Sequence, residues 1–423
     1  MENNELSGKI FTRITLGVIA VWIIVQIVLI INYWGAPQFT DMGDYIAAAQ
    51  YCFNHNEWYP MPQDIHTDFI WAPGHINYLI LQMHIFGTTN MNSVLNLLFN
   101  IAMLFEVYYL AAKFFSKRTG YIAVIVFCSL ISNLFIVLGA NTENPFVFLC
   151  MTALCLVFSG KLKYIILASG LFAMANWVRP LVIVYLFVIL VYFIFSKTKI
   201  INYIALFVPY IIILLLIGAI TEKKTGFFIN QSTTMGINLI QVANDEAAGT
   251  SMRHNSSYFI ENRDLLTFKE RDSVWKKQAF QWILNHPAKY LSGYLIRIPG
   301  MYFHDNWAIM SHTKTVALWE YLVDESNEEV KNQFMHRIRI SVLRSITYYL
   351  TLFFFFYALW INRKTLLNVK TIFPVIVVTG TLATCIFAVQ MRLHYPYMFA
   401  IIIYAACGLD NFIEKRMIAW KKS

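Results

Sequence analysis

Runs of close to 20 apolar residues recur along this chain, as in Ile14–Ile31 and Ile201–Ile220, with charged residues largely confined to the gaps between them. A run of about 20 apolar residues, coiled as an α-helix, matches the hydrocarbon thickness of a bilayer. Composition agrees: of 423 residues 58% are hydrophobic and 13% charged, about half the charged share of a soluble chain. The class is an all-α integral membrane protein.

Charge then orients the chain. No lysine or arginine lies between Arg13 and Lys113, a stretch that nevertheless holds Asp41, Asp44, Glu57, Asp64, Asp68 and Glu106. The apolar pattern predicts ten spanning helices, at 14–34, 92–112, 119–137, 143–160, 164–178, 180–196, 202–221, 341–361, 371–389 and 393–411. Every short connection after an even-numbered span is basic: Lys113, Lys117 and Arg118; Lys161 and Lys163; Lys197 and Lys199; Arg363, Lys364 and Lys370; and the tail from Lys415. With Lys9 and Arg13, 16 of the 33 basic residues fall on one side. The positive-inside rule therefore places both termini of a multi-pass protein in the cytoplasm. The net charge of +9 is this orientation signal rather than a nucleic-acid surface. The first apolar run lacks a small-residue cleavage site and is read as a retained helix.

Ile76–Phe86 is apolar but too short to span, and counting it would reverse every later segment. It is predicted to be a re-entrant or interfacial helix. Three parts follow: residues 1–221, a transmembrane module with a first outer loop at 35–91; residues 222–340, a large extracytoplasmic loop with 14 basic and 13 acidic residues; and residues 341–423, a second transmembrane module. Cysteines 128, 150, 155, 385 and 407 lie in apolar runs, leaving Cys52 alone in a polar one, so no disulfide framework is expected.

Three constellations can carry chemistry. Asp41-Met42-Gly43-Asp44-Tyr45 opens an amphipathic stretch, where Asp41 either caps a helix or takes a proton from an acceptor hydroxyl. Trp71-Ala72-Pro73-Gly74-His75 reads as a turn before the short apolar segment. The histidines at 55, 66, 75 and 84 are spaced too irregularly for a zinc signature, and a structural or surface role is expected for His66 and His75. Arg179, Arg344 and Arg392 fall at the outer ends of helices. An arginine there costs about a few kcal/mol unless it snorkels or finds an anion, and its fork of donors suits phosphate. Glu143 opens the fourth span and can pair with one of them. A lipid-tailed substrate with an anionic head and a group to transfer meets these demands, and a polyprenyl-phosphate sugar is such a molecule.

In order along the chain, Thr40-Asp41-x-x-x-Tyr45, Ala72-Pro73-Gly74 with Phe86-Gly87, Thr142-Glu143, Val178-Arg179-Pro180, Gly236-Ile237-Asn238-Leu239 with Ala243-Asn244 and Gly249, His286-Pro287-Ala288-Lys289-Tyr290-Leu291, and Arg392-Leu393-His394-Tyr395-Pro396 resemble motifs of the GT-C membrane glycosyltransferases. They are most similar to the bacterial branch related to protein O-mannosyltransferases and the lipid A aminoarabinose transferase (glycosyltransferase family 39-like). The resemblance implies a bundle of about ten transmembrane helices with two large extracytoplasmic loops. It also implies inverting transfer from a polyprenyl-phosphate or polyprenyl-diphosphate sugar to an envelope glycan, lipid or protein on the outer face. Asp41 is then the general base or its stabiliser, and Arg179 and Arg392 hold the phosphate. Tyr45, Arg344 and His394 complete the candidate donor-binding set. Many relatives carry a second acid directly after the first-loop Asp, where this chain has Met42; Asp44 replaces it, Glu143 replaces it, or Asp41 acts alone. No cofactor is required, and assistance by a divalent metal stays open. The rival readings are an O-antigen-type polymerase, which would rely on loop arginines, and a flippase or transporter of lipid-linked glycans, which would carry charges at mid-span.

Overall fold

The computed structural model describes residues 2–245, 260, 262–310, 332, 336, 339–365, 371–387 and 389–422. Gly249 of the loop motif and Lys370 lie outside them. Every regular element among the described residues is helical. Helix α1 (Glu2–Asn32) leads into a loop carrying α2 (Asp41–Asn54) and α3 (Pro73–Phe86). The bundle continues with α4 (Asn92–Phe114), α5 (Lys117–Ser129), α6 (Ile131–Phe135), α7 (Glu143–Phe158), α8 (Leu162–Val178), α9 (Val182–Phe195) and α10 (Ile200–Thr225). A second loop holds α11 (Met235–Ile240), α12 (Phe268–Asn285), α13 (Pro287–Ser292), α14 (Tyr294–Met301) and α15 (Trp307–Met310). Helices α16 (Ile346–Ile361), α17 (Ile372–Thr384) and α18 (Tyr395–Lys422) complete it.

Among the described residues, Phe11–Asn32, Asn92–Phe114, Ile200–Thr225 and Met391–Arg416 are long and apolar enough to cross a membrane. Helices α7, α8, α9, α16 and α17 are as apolar but have 13 to 17 residues. At 1.5 Å per residue they reach roughly 20–26 Å, somewhat less than the hydrocarbon layer of about 30 Å. Four of them lie inside predicted spans, α8 begins two residues ahead of the one predicted at 164–178, and the chain is a multi-pass membrane protein.

Burial sorts the bundle. The window on the last span is 78% buried, while those on α1 and α10 are 22% buried. Ile14, Leu16, Val21 and Ile24 of α1, with Ile204, Ile211 and Leu215 of α10, face outward. In water so large an apolar face would be an association liability; in a bilayer lipid chains cover it. Helix α18 is the central post. Tyr397, Phe399 and Tyr404 fill the core around it, and Gly408 lets α16 pass close. A Cβ there would sit 2.3 Å from the Phe354 carbonyl oxygen.

The span predicted at 119–137 is not one straight helix. It breaks at Leu130, whose backbone is extended, and α5 meets the following α6 and 3₁₀ turn at 67°. Non-helical backbone at this depth persists only where protein replaces water as its partner. Asparagines 92, 96 and 100, four residues apart on one face of α4, supply that partner. Asn92 and Asn96 donate to the Gly139 carbonyl at 3.0 and 2.9 Å, Asn96 also reaches Val137, and Asn100 donates to Asn133 at 3.0 Å. The resulting irregular stretch ends at Thr142 and delivers the start of α7 to the loop side of the bundle.

The short segment predicted from Ile76 forms α3, with Pro73 in its first turn and a left-handed Gly87 closing it. Its core packs with α2 and with Ile229 and Phe268 of the second loop. The two loops are tied further by Lys224 on Glu57 (2.6 Å) and by Asp68, which takes Arg263 and, at 2.6 Å, Arg271. Replacing Asn96 with leucine is expected to lower stability by about 1–3 kcal/mol, the cost of leaving a buried acceptor short of a donor. Thermal unfolding in detergent checks this, and an unchanged midpoint would contradict the role given to the asparagines.

Candidate active site

Four elements bring charged residues to one point on the loop side. Asp41 is the first residue of α2, and Glu143 the first of α7. Arg179 caps the C-terminus of α8, and Arg392 sits in the 3₁₀ turn before α18. Pro180 explains the placing of Arg179: the residue before a proline is driven out of helical conformation, and Arg179 is extended (φ −156°, ψ 127°). Gly74 lets the start of α3 press against the end of α8, since a Cβ there would lie 2.7 Å from the backbone of Trp177.

The four form an alternating chain. Arg179 Nη1 lies 2.7 Å from Glu143 Oε1 and donates to Thr142 Oγ1 at 2.8 Å. Arg392 Nε lies 3.7 Å from the same Glu143 oxygen, and Arg392 Nη2 donates to Asp41 Oδ2. Side-chain exposure is 1% for Glu143, 14% for Arg179, 22% for Arg392 and 30% for Asp41. The site is thus deep at Glu143 and open at Asp41. Thr40, just before α2, makes no side-chain cap and holds φ 58°. Such a conformation in a β-branched residue costs about 1–3 kcal/mol and is typical of functional sites. Asp41 is therefore an ion-pair partner as well as a helix opener.

Tyr45, one turn beyond Asp41, walls the site. Its ring meets Trp71 and His75 edge-on at 5.2 Å each, and burial, then the Asp41 charge, raises its hydroxyl pKa above the ordinary range. His75 is fully buried, and desolvation pushes its pKa down to about 4. It is neutral at pH 7, and its Nε2 donates to the Ala140 carbonyl at 2.9 Å, pinning the segment that leads to Glu143. Asp44 is exposed beside this group; desolvation, then the Asp41 charge, raises its carboxyl pKa. Among the described residues no group of three or more His, Cys, Asp or Glu is placed to hold a metal ion.

Two sequence candidates lie elsewhere. Arg344 is exposed ahead of α16 and does not join the chain of pairs. His394 points away from Arg392 and is fully buried, its Nδ1 2.8 Å from the Met301 carbonyl and its Nε2 3.4 Å from Asp305. An enclosed ring with both nitrogens engaged cannot touch a donor, which corrects its expected phosphate-binding role. Asp305 was not singled out in the sequence. It also accepts the Ser132 amide at 3.1 Å, so this pair ties the second loop to the broken span. Nothing in the local sequence marks it. The asparagines of α4 had a signal, their four-residue spacing.

No family model and no curated protein matches the chain. Solved structures do. The apo oligosaccharyltransferase of Archaeoglobus fulgidus matches at 13% identity and TM-score 0.46, over 95% of this chain and 51% of its own. The same enzyme tethered to an acceptor peptide gives 12%, 0.48, 95% and 50%. ArnT from Cupriavidus metallidurans, bound to undecaprenyl phosphate, gives 10% and 0.39 over 95% of this chain and 77% of its own. The chain spans about half the length of the archaeal enzyme. At these scores the likeness is one of general helical arrangement and does not reach individual residues.

Two outcomes follow from the geometry. Glu143→Gln leaves Arg179 without its buried counter-charge and should cost about 3–5 kcal/mol, part of which returns in the Glu143→Gln, Arg179→Gln double variant. Unfolding midpoints of wild type, Glu143→Gln, Arg179→Gln and the double variant check this, and a double variant weaker than either single one would refute it. Because His75 titrates near 4 folded but near 6.5 in its reference state, the unfolded chain gains a proton over that window that the folded one does not. Stability should therefore fall as pH drops from 6.5 to 4. His75→Gln should flatten that slope, measured by thermal unfolding across the same range.

Proposed function

We propose that this chain is a membrane glycosyltransferase that moves a sugar from a polyprenyl-phosphate or polyprenyl-diphosphate donor to an acceptor hydroxyl, with inversion, on the extracytoplasmic face. The observation that carries the reading is the meeting of Asp41 and Arg392, 351 residues apart in sequence, in one group with Glu143 and Arg179. This supports reading Asp41 as a proton acceptor next to Arg392, with Arg179 linked to the same group through Glu143. The motif resemblance supports the same reading.

Asp41 accepts the proton of the attacking hydroxyl. Arg392 and Arg179 meet the charge that grows on the leaving phosphate, with Glu143 and Thr142 setting the angle of Arg179. Donors fixed in place before the reaction stabilise developing charge without reorganising. The acceptor is an envelope glycan, lipid or protein, and the setting is the bacterial cytoplasmic membrane.

The rivals draw less support. A polymerase dependent on loop arginines needs those arginines free. Among the described loop arginines, Arg263 and Arg271 are bound to Asp68 and Arg297 is buried against the Tyr290 and Tyr294 rings, while Arg339 is exposed. A transporter needs charge along its helices. Glu106 in α4 faces Thr152, which donates to it at 2.5 Å, and it does not continue into a charged path among the described residues.

Purified protein in liposomes, given radiolabelled polyprenyl-phosphate sugars and membrane-extract acceptors, tests the proposal. Asp41→Asn should lower transfer by roughly 10²–10⁴ while membrane insertion is kept. Transfer at the wild-type rate would remove Asp41 from the role, and labelled lipid crossing the bilayer without transfer would favour a flippase.

A further inference from the structure

In the second loop, helices α13 and α14 are inside out for a protein surrounded by water. Gly293 between them keeps helical dihedrals (φ −56°, ψ −26°), so they run on almost as one helix and residues four apart share an edge. The arginine of the pair is enclosed. Arg297 is 1% exposed; its guanidinium lies over the Tyr290 and Tyr294 rings at 4.9 and 4.7 Å and donates to the Tyr290 carbonyl at 2.9 Å. The aliphatic side chains turn outward instead: Leu291, Leu295 and Ile296 are 63%, 79% and 52% exposed. A lone exposed leucine is ordinary, but an enclosed arginine backed by an aliphatic edge is the reverse of what water selects.

Hydrogen bonds fix the height of this pair against the bundle. Tyr290 Oη donates to the Ile386 carbonyl, just past the loop-side end of α17, at 2.7 Å. Tyr302 follows α14; its hydroxyl lies 2.6 Å from Thr381 Oγ1 in the last turn of α17, and its carbonyl accepts from Tyr348 Oη of α16 at 3.1 Å. The Met301 carbonyl meets His394 Nδ1, in the turn before α18, at 2.8 Å. The pair therefore lies across the loop-side ends of α16, α17 and α18. The outward face of α17 leads up to it: Val378, Leu382 and Ile386 are exposed in four-residue steps, and the last of them carries the carbonyl that Tyr290 holds. We propose that α13 and α14 form an interfacial helix pair whose edge of Leu291, Leu295 and Ile296 is seated in the leaflet on the loop side of the bundle, covered by phospholipid acyl chains. An amphipathic segment lying in the membrane plane sinks its apolar edge about 5–10 Å into the boundary between headgroups and chains. There the aliphatic edge meets hydrocarbon, while the arginine and tyrosines close the polar edge against the bundle. The seating does not depend on which reaction the charged group performs.

The test places the full chain in phospholipid nanodiscs, with Leu291→Cys, Leu295→Cys and Ile296→Cys labelled in turn by a bimane fluorophore. The native cysteines are buried, or half-buried at Cys155, so wild type treated with the same reagent sets the background. Val378→Cys marks the lipid face of a span, and Lys277→Cys, an exposed charged position on α12, marks the water side. Quenching is read with phospholipid carrying a nitroxide near the head of its acyl chain, and separately with iodide in the water. The lipid nitroxide should quench all three loop labels as it quenches the Val378 label, several times more strongly than the Lys277 label, and iodide should do the reverse. Iodide quenching without lipid quenching would overturn the proposal by putting the edge in water. Quenching by neither would overturn it by showing the edge covered by protein, whether this chain's own or a second copy's. Monodisperse elution checks that each variant is folded, and because the three side chains point outward, any one of the variants suffices to decide.

Discussion

Backbone carbonyls that leave a helix inside a membrane have no water to turn to, and the bundle is arranged around one place where this happens. Between Leu130 and Thr142 the chain keeps only the short α6 and a 3₁₀ turn, and the amide side chains of Asn92, Asn96 and Asn100 take over as partners of its free carbonyls. The bend lets α7 begin at Glu143 at the loop end of the bundle. His75 holds the Ala140 carbonyl from the other side. Without this scaffold Glu143 would not sit between two arginines.

A buried charge is tolerated only when paired, and this rule explains the form of the site. Glu143, almost wholly enclosed, is contacted by both Arg179 and Arg392. The alternation of sign from Asp41 through Arg392 and Glu143 to Arg179 keeps each charge next to its opposite. The same arrangement leaves Asp41 and Arg392 as its most exposed pair. The inner pair is enclosed and the outer pair is the accessible part of the group.

Much of the architecture was legible in the amino-acid order. Apolar runs located the helices, and Pro73 and Gly87 bounded the short α3 as turn chemistry dictates. The break at Leu130 was not legible from hydropathy, because Ile122–Leu138 is apolar throughout apart from a few small polar residues. Its signal lay in another helix, in the spacing of three asparagines whose partners are some 30 to 50 residues away.

Asp41, Glu143, Arg179 and Arg392 stood out one by one, as charges where a membrane protein holds few. Their residue types and positions at the ends of apolar runs are local properties, and the sequence alone determined them, together with the helical membrane class. Which charge meets which was decided only by tertiary structure. So were the inward turn of His394 onto Asp305 and the exposure of Arg344. The reason is physical. Hydropathy acts along the chain, each run answering to the bilayer by itself, whereas an ion pair depends on two helix ends arriving within a few ångströms, and packing among all the helices sets that distance.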